Sequence, residues 1–155
     1  MRVHTFEKAF LTVGIVVLLA CASALAYASV GLGMHLPTRA GHLNPQRVYR
    51  TPPFDHPGLR QTGPGRYEVV LVAQAWAFLP AQIRVPANAT VTFIATSADI
   101  IHGFDVAGTR LNIMLIPGQV SRATYTFREP GEHLLVCHEY CGAGHHLMFG
   151  KVTVE

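Results

Sequence analysis

From Ala9 to Met34 the chain carries no charged side chain. The run AFLTVGIVVLLACASALAYASVGLGM is longer than the ~20 apolar residues a helix needs to cross the hydrocarbon layer of a bilayer. This stretch predicts one N-terminal transmembrane helix over 9–34, with residues 1–8 as its polar flank. A cleaved signal peptide is the competing reading, since Arg2 and Lys8 precede the apolar core and Ala24, Ala26 and Ala28 offer small-residue cleavage sites. The run, however, outlasts the roughly 7–15 apolar residues usual in such peptides. Leu18-Leu19-Ala20-Cys21 has the form of a lipoprotein processing site, but more apolar residues follow Cys21 where a polar tether would be needed. Cys21 reads as a small apolar helix residue.

The 155 residues leave room for that helix and one domain with its own core. Half of them are apolar and 14% charged, too hydrophobic for a disordered tail and high for a wholly soluble protein. Arg2 and Lys8 on one side of the apolar run are balanced by Arg39, Arg47 and Arg50 on the other, so loop charge does not orient it. The formal charge of +3 is dispersed, without a basic block interleaved with aromatics, and nucleic-acid binding has no support.

Residues 35–65 are rich in Pro, Gly, Arg and His and show no sustained periodicity, which predicts a connecting arm running along the domain surface or against a partner subunit. From residue 66 to 155 every signal is β. Strands are expected at Tyr67 to Phe78, Gln82 to Val85, Thr90 to Thr96, Arg110 to Leu115, Val120 to Phe127, Glu132 to Val136 and Lys151 to Val154, punctuated by Pro-Gly turns. Short strands in this number predict an all-β Greek-key sandwich or barrel.

The chemistry is concentrated in Cys137-His138-Glu139-Tyr140-Cys141-Gly142-Ala143-Gly144-His145-His146-Leu147-Met148, between two expected strands. Thiolates, imidazoles and a thioether form a soft donor set suited to copper or zinc and not to magnesium or calcium. Zinc takes four Cys/His ligands and has little use for Met148. A blue-copper site takes two His, one Cys and a weak axial Met, with one His far upstream. His102, expected in a loop after the Thr90 to Thr96 strand, fits that layout. The second cysteine departs from it, because two thiolates in one loop can each bridge two metals, which asks for two coppers. The other reading of Cys137 and Cys141 is a disulfide.

The pattern Cys137-x-Glu139-x-Cys141-x-x-x-His145-x-x-Met148, with Ile101-His102-Gly103-Phe104 upstream, resembles the dinuclear copper A domain of cytochrome c oxidase subunit II. The one-helix anchor and the run Ile101-His102-Gly103-Phe104-Asp105-Val106-x-Gly108-Thr109 are most similar to the B-family heme-copper oxidases. The resemblance implies a cupredoxin-like fold over 66–155 in which Cys137 and Cys141 bridge two coppers and His102 and His145 cap one each. Met148 and the backbone carbonyl of Glu139 would be weak ligands. The Glu139 side chain is expected either to reach a magnesium ion at the subunit I interface or to serve there as a hydrogen-bonded carboxylate.

The function so implied is electron entry into a terminal oxidase. Electrons would come from cytochrome c or a similar small donor and pass to heme b of subunit I, which alone holds the a-type heme and copper B and carries out oxygen reduction and proton translocation. The helix N-terminus would then be cytoplasmic and the copper domain outside the membrane. A copper A subunit of a nitric oxide reductase would carry the same motif, and a copper chaperone or storage protein is the non-respiratory alternative. Near the expected ligands, His138, His146, Asp99 and Asp105 read as surface or tuning groups, His133 as an outward strand residue, and Trp76, Phe78 and Met114 as core, although the resemblance also implies aromatics of the Trp76–Phe78 region near the donor-docking surface.

Overall fold

The computed structural model describes residues 4–31 and 38–155. Two compact units, Met1–Leu36 and Pro37–Glu155, make up the chain. In the first, helix α1 spans Thr5–Val30. It starts four residues before the expected Ala9, because Glu7 accepts a hydrogen bond from the His4 N–H at 3.3 Å and closes the first turn. The helix ends at Val30, capped by Gly31, and the expected end at Met34 lies outside the described residues. Its apolar side chains point in every direction, among them Phe10, Val13, Leu18 and Leu25. With no polar stripe to place in water, the helix is long and apolar enough to cross a membrane.

The second unit is built from β1 (Thr38–His42), β2 (Gly58–Gly63), β3 (Arg66–Gln74), β4 (Ala77–Leu79), β5 (Gln82–Val85), β6 (Thr90–Ser97), β7 (His102–Val106), β8 (Asn112–Leu115), β9 (Gln119–Thr126), β10 (Gly131–Cys137) and β11 (Phe149–Val154). They form two sheets, β1-β9-β6-β3-β2 with β4 paired to β3, and β5-β11-β10-β7-β8. The β3–β6 and β5–β11 pairs are parallel and the others antiparallel, so the chain crosses repeatedly between layers.

Inward positions from both sheets fill the space between them. Phe93 and Phe78 pack on Phe104 with ring centroids 5.6 and 6.3 Å apart, surrounded by Leu71, Ile113, Leu115 and Leu135, all fully buried. Each such side chain contributes about 1.5–3 kcal/mol by leaving water.

The segment expected to be an irregular arm carries β1, β2 and a 3-10 turn over Pro45–Arg50. Both strands lie at edges of the first sheet, where Pro and Gly cost least. Val48 and Phe54 from this segment pack on Val70, Val72 and Ile94, on the outer face of that sheet. Residues Val69 to Ala73 of β3 are therefore buried on both faces, and their sequence is apolar without alternation.

Two other expectations are corrected. The single strand over Tyr67 to Phe78 is broken at Ala75 and Trp76 into β3 and β4. His102 is not in a loop but is the first residue of β7, a strand in which His102, Phe104 and Val106 alternate inward.

Candidate metal centre

Neighbouring strands bring the first two donors together. β7 begins at His102 and β10 ends at Cys137, and the two strands pair antiparallel with Cys137 opposite Phe104. The connection from β10 to β11 carries the rest. Its ends are tied by the pairing of Val136 with Phe149 and by the Cys137 N–H donating to the Met148 carbonyl at 3.1 Å. Between these ties the loop bonds to itself, His145 N–H to the Gly142 carbonyl and Met148 N–H to the His145 carbonyl, both at 3.1 Å. Gly142 has φ of 106°, a conformation open to glycine and costly for other residues.

The Cys137 and Cys141 sulfurs are 3.8 Å apart, both buried and free. Around Cys137 Sγ lie His102 Nδ1 at 3.9 Å and the Glu139 carbonyl oxygen at 3.3 Å. Around Cys141 Sγ lie His145 Nδ1 at 3.4 Å and Met148 Sδ at 3.7 Å. Each sulfur thus has one imidazole nitrogen and one weaker donor beside it. Ligand atoms of His102, Cys137 and Cys141 all fall within 4.8 Å of one another. These buried soft donors fit a soft, thiophilic metal, and the separation of the sulfurs is far beyond the ~2.05 Å of a disulfide.

Outer contacts orient the donors. The fully buried His102 ring is bonded through Nε2 to Asp99 Oδ1 at 2.9 Å. Partial burial pushes the Asp99 carboxyl up, but hydrogen bonds from Ala75 N–H, the His102 ring and Ile100 N–H together outweigh it and hold the group below its usual range. An ionised carboxylate only accepts, so the ring proton sits on Nε2 and the Nδ1 lone pair faces the sulfurs. Burial, with Cys137 alongside, pushes the Cys141 thiol up to about 11, so a metal must displace its proton at neutral pH.

Trp76 departs from the core reading and not from the surface one. Expected in the core, it is 45% exposed, and its Nε1–H donates to the Cys141 carbonyl at 2.8 Å. Its ring lies over Gly144, where a Cβ would come within 2.6 Å of Cγ and Cε3. The sequence carries no sign of this contact, which joins residues 65 apart. Phe78 is buried as expected, whereas Met114 faces outward on β8 and is exposed. His133 is half-buried with Nδ1 bonded to the Ala107 carbonyl at 2.9 Å. His138 and His146 are exposed, Glu139 and Asp105 half-buried.

Exposed apolar groups lie on and beside the loop, interspersed with the exposed His138 and His146. Tyr140, Leu147 and Phe149 are 78%, 64% and 58% exposed, and Ile100, Ile101, Pro117, Tyr140, Cys141 and Gly142 line a shallow depression of about 480 Å³.

Residues 72–154 match the family model described as cytochrome C oxidase subunit II, periplasmic domain. The chain is similar to a cytochrome c oxidase subunit 2 of Thermus thermophilus, with 37% identity over 154 residues, covering 97% of this chain and 92% of that one. A cryo-EM structure of a heme-copper terminal oxidase dimer contains a chain that superposes with a TM-score of 0.77 at 36% identity, covering 96% of this chain and 99% of that one. The periplasmic domain of subunit II of cytochrome oxidase from Bradyrhizobium japonicum shares the fold at 19% identity, with a TM-score of 0.52 over 57% of this chain and 83% of that one. The all-β, cupredoxin-like sandwich expected from the sequence is the fold found.

Proposed function

The chain belongs to the cytochrome c oxidase subunit II family, and from that membership we propose that it is the electron-entry subunit of a B-type heme-copper terminal oxidase. In this reading it accepts electrons from cytochrome c or a similar small donor and passes them to heme b of subunit I, where oxygen is reduced and protons are translocated. The helix over Thr5–Val30 anchors it, with the N-terminus cytoplasmic and the sandwich outside the membrane.

The observation that carries the proposal is the division of the donors into two like halves about a pair of buried sulfurs 3.8 Å apart. A mononuclear centre needs one thiolate, whereas this arrangement would suit two coppers, held by Cys137, Cys141, His102 and His145 with Met148 and the Glu139 carbonyl as weaker donors. When bound, such a pair supplies a one-electron couple in which the change in charge is shared over both metals and both sulfurs. The chain's own part is to keep that geometry constant. Main-chain ties at both ends of the loop, Asp99 on His102 and Trp76 on the Cys141 carbonyl all serve this end. Apolar surface over the loop, carrying Tyr140, Leu147 and Phe149, is suited to a transient partner.

The test is metal stoichiometry in the full-length chain, solubilised in detergent and loaded with copper. Two coppers per chain and a seven-line electron paramagnetic resonance pattern are expected, with Cys141→Ser reduced to one copper or none. One copper with a four-line blue-copper spectrum in the unmodified chain would refute the dinuclear assignment.

A further inference from the structure

The backbone ladder between the two strands that carry His102 and Cys137 stops one step short of the centre. Pairing of β7 with β10 runs through Leu135 and Val106, Val136 and Asp105, and Cys137 and Phe104, and there it ends. The next residues toward the donors are Gly103 and His138. Alternation along β7 turns His102 and Phe104 inward and Gly103 to the outer face, and along β10 Cys137 is buried and His138 exposed. On that outer face the His138 imidazole occupies the space a Gly103 side chain would need. A Cβ built on Gly103 would lie 2.5 Å from Nε2 and 3.0 Å from Nδ1 of the ring, closer than packed atoms approach. Gly103 is nevertheless buried, since the ring roofs it. No φ requirement explains a glycine here, so the space taken by the ring is the reason a glycine is needed.

We propose that His138 is a positioning residue of the metal centre: its imidazole, laid flat over Gly103, holds the end of the His102 strand against the end of the Cys137 strand where backbone pairing has ceased. The contact extends the β7–β10 pairing by one step, through packing in place of hydrogen bonds. It acts on two donors that come from different strands and that no main-chain tie links directly. Cys137 is held on its other side by the Met148 carbonyl, and the His102 ring at its far nitrogen by Asp99. On one side β8 holds the end of β7, pairing His102 with Leu115 and Gly103 with Met114. On the other, His138 supplies the constraint on the spacing between the His102 and Cys137 backbones. Asn or Ala in place of His138 would therefore open Gly103 and loosen the spacing on the β10 side alone.

This inference rests on the copper reading of the site, and the experiment separates the two. Four variants of the full-length chain in detergent are compared with the parent chain: His138→Ala, His138→Phe, Gly103→Ala and the double variant Gly103→Ala/His138→Ala. The readouts are the paramagnetic resonance spectrum, the rate of copper transfer to a chelator, and the melting temperature without metal. His138→Ala is expected to keep two coppers but to change the hyperfine splittings and release copper about ten-fold faster, as loss of an outer-contact residue does elsewhere. His138→Phe, whose ring can lie flat on the glycine, is expected to restore both signals. Gly103→Ala is expected to be worse than His138→Ala, and the double variant better than Gly103→Ala, because removing the ring makes room for the methyl group.

The proposal is overturned if His138→Ala matches the parent in spectrum and release rate, if only its metal-free melting temperature changes, if His138→Phe fails to rescue, or if the double variant is no better than Gly103→Ala. A parent chain lacking the seven-line spectrum would instead sink the copper reading. In that event the metal-free melting temperatures still decide whether the ring roofs the glycine, since only then does Gly103→Ala lose stability that the double variant regains.

Discussion

Replacing Gly144 with Ala tests how the metal-binding loop is held, and the size of the effect follows from the geometry. The new methyl group would lie 2.6 Å from Cγ and Cε3 of Trp76, atoms near the rigid base of the indole that cannot move without turning the whole side chain. Overpacking of this kind costs roughly 1–3 kcal/mol. Turning the ring also breaks the 2.8 Å hydrogen bond from Nε1 to the Cys141 carbonyl, worth about another 1 kcal/mol. Gly144→Ala should therefore destabilise the metal-free domain by about 2–4 kcal/mol, a large part of the ~5–15 kcal/mol that a domain of this size possesses. At an m-value of about 2 kcal/mol/M, the urea midpoint falls by roughly 1–2 M. Trp76 is the only tryptophan in the chain, so its fluorescence reports both unfolding and the local change, which should appear as a red shift as the ring leaves the loop. Trp76→Phe, which loses the hydrogen bond, should cost about 1 kcal/mol. A Gly144→Ala chain with the parent midpoint and unchanged emission would show that the indole does not clamp the loop.

Met148→Leu fills nearly the same buried volume, so it should keep both coppers, lower stability by less than about 1.5 kcal/mol and chiefly shift the reduction potential, read by redox titration; loss of metal would contradict a weak-ligand role. Residues Leu36 to Glu155 contain ten Lys/Arg and eight Asp/Glu, a balance too even for long-range steering of a charged donor. Turnover of the intact oxidase with its donor should thus fall only slightly between about 10 and 150 mM salt, where the screening length shrinks from roughly 30 to 8 Å, and Leu147→Ser or Phe149→Ser should lower it more than salt does. Glu139→Gln should leave the copper spectrum intact, because in the proposed centre only the backbone carbonyl of Glu139 would meet copper. If the carboxylate holds a divalent ion at the subunit interface, oxidase grown with manganese should show a bound-manganese signal that the variant loses, and no signal in the parent would assign Glu139 to hydrogen bonding alone.

The readable part of the sequence was the part whose physics is local. An uncharged run over 9–34 shows a membrane-length helix by itself, although Glu7 and Lys8 lie inside it because a cap, not the last charge, sets where it starts. Strands β6, β9 and β11 alternate or sit between Pro-Gly turns, and were legible within a few residues. Strand β7 was not, because the alternation in His102-Gly103-Phe104-Asp105-Val106 is spelled with a histidine inward and a glycine outward, the reverse of the usual apolar and polar signals. The candidate donors stood out because thiolate, imidazole and thioether chemistry is scarce and, His102 apart, was gathered in one loop. Asp99 and His138 read as surface or tuning groups, but the contacts by which the donors are oriented were not legible. Asp99 reaches His102 around a tight turn, Trp76 meets Cys141 across 65 residues, and His138 covers Gly103 through the register of two strands. The contacts of Trp76 and His138 depend on how the strands align, and no local pattern encodes them.

His102 and Cys137 are separated by 35 residues, and β11, which closes the far end of the loop, is registered in parallel against β5. The donors therefore converge only after the last strand has been added to a sheet begun early in the chain. Such non-local closure is slow, since loop entropy must be met before the contacts reward it. This is the opposite of a zinc finger, where the metal drives folding. Here apolar burial builds the receptacle, and Cys137, Cys141, His145 and Met148 come together as the sandwich closes. In the proposed centre, metal would enter a receptacle already closed around two free thiols, Cys137 and Cys141.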